Sequence, residues 1–213
     1  MDVVIAGGHG QIAMMLGQLL VEDGQRVRGI IRKPEQAADL EAIGMEPIVF
    51  DLEHDDGLAE QIAGADAAVF AAGAGPGSGA ERKWSMDRDG AIKLIDACRQ
   101  TGANRYVMIS SIGASADVQG DDVFSIYLRA KGEADEALLA SGLDGTVLRP
   151  GALTDEPGSG LIALGEDLER NSVPREDVAA TIRLLLPAAN TIGAKLVLTS
   201  GPLPIAEAVR TAS

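Results

Sequence analysis

A tyrosine and a lysine four residues apart carry the strongest chemical signal in this sequence. Tyr127 and Lys131 lie within residues 122–141, a stretch predicted to form a long helix, and residues at i and i+4 share one helix face. A neighbouring ammonium group lowers the pKa of a phenol, which makes it a better proton donor or acceptor near neutral pH. The spacing therefore predicts general acid–base chemistry by Tyr127, and Lys131 could also hold the ribose of a bound nucleotide.

Two serines that precede this helix could take part in the same reaction. Ser110 and Ser111 directly follow a strand predicted over residues 105–109. A hydroxyl group at the carboxyl end of a strand can donate a hydrogen bond to a substrate carbonyl and polarise it. The alternative is that these serines only hydrogen-bond the turn in which they lie.

The start of the chain predicts a dinucleotide site. Residues 3–6 are typical of a buried strand, and a helical pattern runs from residue 11 to about residue 22. A strand, a glycine turn and a helix N-terminus present backbone N–H groups to a pyrophosphate. A tight turn that binds nothing is the alternative. The predicted cofactor contacts in this region are Gly7 (the tight turn), Gly8, His9, Gly10 (the close backbone approach), Gln11 and Ile12, with Ala13 allowing helix and strand to pack closely.

The residues after the second predicted strand indicate which nucleotide binds. Arg32 and Lys33 follow residues 26–31, where NAD-specific sites carry an acidic residue for the ribose 2′-hydroxyl. A guanidinium group suits a 2′-phosphate and stacks on adenine, so the pair favours NADP, with NAD as the alternative cofactor. A solvated basic pair at a helix start would be the non-functional interpretation, although cations are unfavourable there.

Two residues after the third predicted strand, residues 46–50, could contact the base. Asp51 could accept a hydrogen bond from the adenine amino group while Leu52 packs on the ring. Asp51 could equally be the N-cap of the helix that follows.

Small residues at two further strand ends complete the predicted cofactor groove. Ala71, Ala72 and Gly73 begin a glycine-rich loop, residues 73–79, in which a ribose can approach the backbone closely. Pro150 and Gly151 follow the sixth predicted strand and could form a wall beside the nicotinamide. The alternatives are a flexible loop and a plain loop exit. Leu153 is the last of the predicted cofactor contacts.

Alternating strand and helix patterns must position these residues. Alternation of this kind predicts an α/β fold with a parallel sheet and helices on both faces, and ligands then bind beyond the carboxyl ends of the strands. We expect one domain, residues 1–213, with a less regular substrate-side segment around residues 152–173. The remaining strands are predicted over residues 67–71, 146–148 and 195–199, and the remaining helices over 34–43, 58–62, 80 or 86 to 101, 175–186 and 205–210.

Composition restricts the classes of partner. Hydrophobic residues make up 46% of the chain and aromatic residues only 3%, so Ala, Val, Ile and Leu must fill the core. A net charge of −14 argues against a nucleic-acid backbone or an anionic membrane as partner. Cys98 is the only cysteine, which excludes an intrachain disulfide, predicts a reducing compartment and, with two histidines, argues against a metal site. We expect a cytoplasmic monomer or homodimer with a small-molecule substrate and no signal peptide or membrane span.

Together these residues resemble the short-chain dehydrogenase/reductase superfamily. The resemblance covers nearly the whole chain. Within the superfamily, the residues look most like the small atypical members, which are NAD(P)H-binding, NmrA-like and biliverdin-reductase-B-like flavin-reductase proteins. It is carried by the turn and helix start from Gly7 to Ala13, Arg32-Lys33, Asp51-Leu52, Ser110-Ser111, Tyr127 with Lys131, the run from Ser141 to Gly151, and Arg175-Glu176-Asp177-Val178-Ala179.

The resemblance implies a Rossmann-type, doubly wound parallel sheet with strand order 3-2-1-4-5-6-7. It also implies an NADP(H)-dependent oxidoreductase that reduces a small carbonyl, quinone or flavin-like acceptor. In that function Ser111 would be the active-site serine, with Ser110 as second choice, and Tyr127 the proton donor. The implied cofactor contacts are the glycine turn, Arg32, Asp51, Ala72, Gly73, Lys131, Pro150 and Gly151.

Two other functions stay open at this point. One is an NADP(H)-binding redox sensor without turnover, and the other is an epimerase or isomerase that uses NAD(P). The region after Pro150 is short compared with sugar epimerases of the superfamily, which argues against a large nucleotide-sugar substrate.

Overall fold

The structure, a computed structural model, describes residues 1–75 and 77–212. Pro76 of the predicted glycine-rich loop and Ser213 at the end of the predicted domain lie outside the described residues. The strands are β1 (Asp2–Ala6), β2 (Arg26–Ile31), β3 (Glu46–Val49), β4 (Ala67–Phe70), β5 (Arg105–Ile109), β6 (Asp144–Pro150), β7 (Ala152–Thr154), β8 (Leu161–Gly165), β9 (Ser172–Pro174), β10 (Lys195–Ser200) and β11 (Leu203–Pro204). The helices are α1 (Gln11–Glu22), α2 (Ala37–Ala42), α3 (Leu58–Gln61), α4 (Ala80–Arg82), α5 (Ala91–Thr101), α6 (Val123–Ala140), α7 (Arg175–Leu185) and α8 (Ile205–Thr211).

The central sheet has the strand order β11-β8-β10-β6-β5-β4-β1-β2-β3. From β3 to β10 all neighbouring strands are parallel, while β8 and β11 extend the sheet in antiparallel fashion. Because β10 is the seventh predicted strand, the Rossmann-type order 3-2-1-4-5-6-7 is confirmed. The carboxyl ends of these parallel strands all meet at one edge of the sheet.

Helices cover both faces of the sheet, as predicted. On β1, Val3 and Ile5 belong to a buried cluster that includes apolar residues of α1, α7 and α8. Val4 and Ala6 point the other way, into a cluster with residues of α3, α5 and α6. Because β4 and residues 3–6 of β1 are buried on both faces, these stretches are continuously apolar rather than alternating.

Three regions differ from the prediction, and the short strand β11 was not predicted. The helix expected over residues 34–43 starts as a 3₁₀ turn, Pro34–Gln36, and becomes α-helical only in α2. The helix from residue 80 to 101 passes through a π-helical segment, Lys83–Gly90, between α4 and α5. The segment around residues 152–173 is more regular than expected, because β7 pairs with β9 and β8 joins the central sheet. Among the described residues, no helix is both long and apolar enough to cross a membrane.

Candidate cofactor and substrate site

The turn between β1 and α1 fits against the neighbouring backbone with no room for side chains. Gly7 has a φ of +76°, and a Cβ atom there would lie 2.7 Å from Cα of Ala72. A Cβ atom on Gly8 would lie 2.8 Å from Cα of Gly29 in β2, and one on Gly10 would lie 3.1 Å from the carbonyl oxygen of Gly7. Close packing therefore requires glycine at Gly7 and Gly8.

This turn also leaves the start of α1 free to bind an anion. Gly10 is the N-cap residue and has no side chain to accept hydrogen bonds from the first turn. The first turn reads Gln-Ile-Ala-Met, so it contains no carboxylate that would compete with an anionic ligand. The N–H groups and the positive end of the helix dipole are therefore available to a phosphate.

Substitutions of Gly7 and Gly24 test how the turn between β1 and α1 contributes to stability and to nucleotide binding. Gly24 has nearly the same φ, +73°, but an added Cβ atom there would have nothing within 4 Å. We expect Gly24→Ala to cost about 1–2 kcal/mol of unfolding free energy for the left-handed backbone. Gly7→Ala should lose about 1–3 kcal/mol more through overpacking, and it should also weaken NADPH binding. Urea unfolding measures the loss of stability, and calorimetric titration measures the loss of nucleotide binding. Equal losses in Gly7→Ala and Gly24→Ala would contradict the assignment of Gly7 to the cofactor turn.

A cavity of about 380 Å³ lies at the carboxyl ends of β1 to β4. It brings together predicted residues from four separate strand ends. Those lining it are Gly7, His9, Gly10, Arg32, Lys33, Asp51, Leu52, Ala71, Ala72 and Gly73. The His9 ring, however, is directed toward α2, with Nε2 lying 2.7 Å from the Asp39 carboxylate and Nδ1 lying 3.2 Å from the Gln36 amide.

Asp51 lines this cavity and does not cap the next helix. Its Oδ1 accepts a hydrogen bond of 2.9 Å from the backbone N–H of Glu53. Helix α3 begins at Leu58, and its N-cap is Gly57. The alternative that Asp51 is the helix N-cap is therefore wrong, because a turn separates Asp51 from α3.

Two charged residues that the sequence analysis missed join Arg32 at this cavity. Arg82 Nε and Nη2 donate to Oε2 of Glu53 at 3.1 and 2.9 Å, and Arg32 Nη1 lies 3.8 Å from the same oxygen. Burial raises the pKa of Glu53, but hydrogen bonds from Arg82 and Ser85 and the nearby guanidinium charges outweigh that effect, so its pKa is lowered. One buried carboxylate therefore holds Arg82 by hydrogen bonds and lies at the outer limit of an ion pair with Arg32.

A second cavity, of about 820 Å³, shares Ala71, Ala72 and Gly73 with the first. The other predicted residues that line it are Ile12, Ser110, Ser111, Tyr127, Lys131, Pro150, Gly151 and Leu153. Gly8 and Gln11 line neither cavity. Gly8 packs on Gly29, and the Gln11 side chain donates a 3.3 Å hydrogen bond to Asp155.

Helix α6 carries Tyr127 and Lys131 into the second cavity. Asp122 is its N-cap, and one carboxylate oxygen accepts hydrogen bonds from the backbone N–H groups of Phe124 and Ser125 at 3.1 and 3.0 Å. This cap fixes where the helix begins and therefore which face turns inward. The Tyr127 ring stacks on Phe124, with ring centroids 6.2 Å apart.

The Lys131 ammonium group is buried and paired. It lies 3.4 Å from Oδ1 of Asp87 and donates a 3.0 Å hydrogen bond to the carbonyl oxygen of Ile109. Asp87, which lies in the π-helical segment, also accepts from the backbone N–H of Ala74 at 3.3 Å. The Asp87 carboxylate therefore balances charge on the lysine, and the expected influence of Lys131 on Tyr127 stays a prediction. A second cation lies close to Tyr127, since the Lys83 ammonium is 5.2 Å from its ring centroid.

The two serines have different surroundings. Ser110 Oγ donates a 2.9 Å hydrogen bond to Oδ2 of Asp135, the same oxygen that accepts from Nε and Nη2 of Arg149 at 3.1 and 2.8 Å. Burial raises the pKa of Asp135 despite these hydrogen bonds. Among the described residues, Ser111 Oγ makes only a long contact of 3.5 Å with the carbonyl oxygen of Ile112. Ser111 is therefore the serine whose hydroxyl is available to a substrate.

The glycine at position 151 serves the packing of the chain itself. A Cβ atom on Gly151 would lie 1.9 Å from the carbonyl oxygen of Asn171. The absence of a side chain at Gly151 thus makes room for the backbone that leads into β9.

Comparisons with known proteins extend over nearly all of this chain. Residues 7–187 match the model of a family described as NAD(P)H-binding. An uncharacterized sugar epimerase of Bacillus subtilis, YhfK, is 39% identical and covers 99% of both chains. Among solved structures, a candidate NAD-dependent epimerase/dehydratase from Bacillus halodurans aligns with a TM-score of 0.91, 36% identity and 98% coverage of both chains. The oxidoreductase ylbE from Lactococcus lactis aligns with a TM-score of 0.86, 28% identity, and coverage of 99% and 96%.

Proposed function

Because this chain belongs to the NAD(P)H-binding family, we propose that it is an NADP(H)-dependent oxidoreductase that reduces a small carbonyl, quinone or flavin-like acceptor. The observation that carries the proposal is the pair of cavities joined through Ala71, Ala72 and Gly73. An adenosine and a nicotinamide at opposite ends of one dinucleotide suit two connected cavities at the switch point of a parallel sheet. The glycine turn at the start of α1, where a Cβ atom would collide with backbone, suits the pyrophosphate between them.

The charges around the first cavity favour NADP over NAD. Arg32, Lys33 and Arg82 line it, and the carboxylates of Asp51 and Glu53 compensate only part of their charge. In a chain with a net charge of −14, a local group of cations provides specific attraction for an anionic group. A guanidinium group forms paired hydrogen bonds with phosphate, so Arg32 and Arg82 suit the 2′-phosphate of NADP.

The side chains of the second cavity suit carbonyl reduction. When bound, the nicotinamide supplies a hydride. Tyr127 would donate a proton to the acceptor oxygen, and Ser111 would donate a hydrogen bond that orients the same carbonyl. Lys131, held by Asp87 and Ile109, would contact the nicotinamide ribose.

An epimerase is the second candidate, and the names of two relatives favour it. YhfK is called a sugar epimerase, and the Bacillus halodurans protein is a candidate epimerase/dehydratase. Such a reaction would use the same cofactor site and would return the nicotinamide to its starting oxidation state.

Cofactor binding and turnover together test the proposal. We expect calorimetric titration to give a lower Kd for NADPH than for NADH. Screening against quinones, flavins and aldehydes should then give NADPH oxidation with at least one acceptor. Tight NADPH binding without turnover would contradict the oxidoreductase and favour a redox sensor. A nicotinamide nucleotide that copurifies and never exchanges would instead favour the epimerase.

A further inference from the structure

We propose that the second cavity, here called the substrate cavity, continues into an anion-binding subsite formed by Arg170, so that the preferred acceptor is a flat apolar molecule with a carboxylate, sulfonate or phosphate group. This inference rests on the proposed function, because it concerns the acceptor that would be reduced beside Ser111 and Tyr127.

A third cavity, of about 440 Å³, lies next to the substrate cavity. The two share four lining residues, so a molecule whose carbonyl lies beside Ser111 can extend from one into the other. The shared residues are Ser111, Phe124, Pro150 and Gly151. The residues that line the third cavity but not the substrate cavity are Ile112, Ala152, Arg170 and Asn171.

The Arg170 guanidinium group is available to an anion. Its Nη2 donates one hydrogen bond, 3.3 Å long, to the carbonyl oxygen of Ile112. Among the ion pairs of residues 1–75 and 77–212, none involves Arg170, although acidic residues precede it in the same segment. An arginine in this state has N–H donors left for the two oxygens of a carboxylate or sulfonate.

Two glycines make room for the segment that contains Arg170 and Asn171. Gly113 has a φ of +86°, and a Cβ atom there would lie 2.6 Å from Nη2 of Arg170. On the other side, glycine at position 151 lets the Asn171 carbonyl approach. The segment of Arg170 and Asn171 therefore packs against two positions without a side chain, Gly113 and Gly151. This packing sets the position of Arg170.

The walls of the substrate cavity are apolar and unusually exposed. Val123, Phe124 and Leu153 are 45%, 57% and 39% exposed, and all three line this cavity. Exposed large apolar side chains around a pocket mark a binding surface. The faces of Phe124 and Tyr127 suit a flat conjugated ring. An apolar body beside Phe124 and an anionic group at Arg170 are therefore complementary to this surface.

The test compares a neutral and an anionic quinone as acceptors. We expect the KM of the wild-type protein for naphthoquinone sulfonate to lie below its KM for menadione. Loss of a charge-assisted contact costs about tenfold or more in affinity. Arg170→Ala should therefore lower the ratio of the menadione KM to the sulfonate KM by about tenfold, and Arg170→Lys should restore part of it. Arg210→Ala, which removes an exposed cation on α8, is the matched control.

Calorimetric binding of both quinones to the NADP⁺-loaded protein separates this inference from the proposed function. If no acceptor is reduced but Arg170→Ala still weakens sulfonate binding selectively, the oxidoreductase proposal fails and the subsite stands. If both quinones are reduced and Arg170→Ala leaves the KM ratio unchanged, the subsite is overturned and the oxidoreductase proposal stands. Equal weakening of both quinones would show only a structural role for Arg170 and would also overturn the subsite.

Discussion

Replacing Tyr127 with phenylalanine is expected to lower kcat by about 10²–10⁴-fold, the usual contribution of a general acid. The Kd for NADPH should change by no more than about twofold. The reason for this selectivity is that the substitution removes only the hydroxyl group. The ring that stacks on Phe124 and lies beneath the Lys83 ammonium is kept. Steady-state kinetics with the best acceptor, together with calorimetric titration of NADPH, measures both quantities.

The chain offers a matched control, because its only other tyrosine is remote from the site. Tyr106 is fully buried in β5, and its hydroxyl donates a 3.4 Å hydrogen bond to the carbonyl oxygen of Ala91. Tyr106→Phe should cost about 1 kcal/mol of unfolding free energy and leave kcat unchanged. A Tyr127→Phe variant with wild-type kcat would reject Tyr127 as the proton donor. A loss of kcat equal to that in Tyr106→Phe would point to a general effect of losing a hydroxyl.

Most of the fold could be predicted because most strands of the parallel sheet contain a short apolar run, and a helix follows most of them along the chain. The strands that escaped prediction lack this signal. β8 has one fully buried residue in five, and β11 has only two residues, both exposed. Their position comes from pairing with β10 and with each other. Such pairing joins distant parts of the chain and leaves no periodic pattern in the sequence.

The site residues also divide into those that could be predicted from the sequence and those that could not. Those at strand ends could be predicted, because the carboxyl ends of parallel strands meet at one edge, and most of them line the two joined cavities. Arg82 and Asp87 could not, because they reach the site from the helix that begins at residue 80. Arg170 lies before β9, in a segment without helical or strand periodicity. In sequence, each of these is an ordinary charged residue, and only the tertiary contacts reveal its partner.

The π-helical segment gave no sequence signal and yet holds Asp87 against Lys131. An i+5 hydrogen-bonding pattern is rare in proteins, but the π-helical segments that do occur frequently lie at functional sites. Here it places one carboxylate within reach of both the Lys131 ammonium and the backbone N–H of Ala74. The lysine that would hold the nicotinamide ribose is therefore coupled to the loop that lines both cavities. The spacing of Tyr127 and Lys131 alone therefore does not reveal that Lys131 is paired with Asp87.

Replacing Arg32 with alanine is expected to raise the Kd for NADPH by about 10–100-fold, with a much smaller change for NADH. A hydrogen bond to a charged group contributes about 1.5–3 kcal/mol, and each 1.4 kcal/mol is about tenfold in affinity. NADH lacks the 2′-phosphate and so loses only stacking on the adenine. Calorimetric titration of both nucleotides measures the ratio, and Arg210→Ala is again the control for removing an exposed cation.

Arg82, the second guanidinium group at this cavity, allows a further test of the same prediction. Glu53 is only 7% exposed and accepts hydrogen bonds from Arg82, while Arg32 lies at the edge of contact, 3.8 Å away. In Arg82→Ala the buried carboxylate should draw Arg32 toward itself and away from the 2′-phosphate. The two single variants should therefore each weaken NADPH binding, and the double variant should lose less than the sum of their effects. If Arg32→Ala instead weakens NADPH and NADH equally, the arginine does not read the 2′-phosphate, and the preference for NADP must be abandoned.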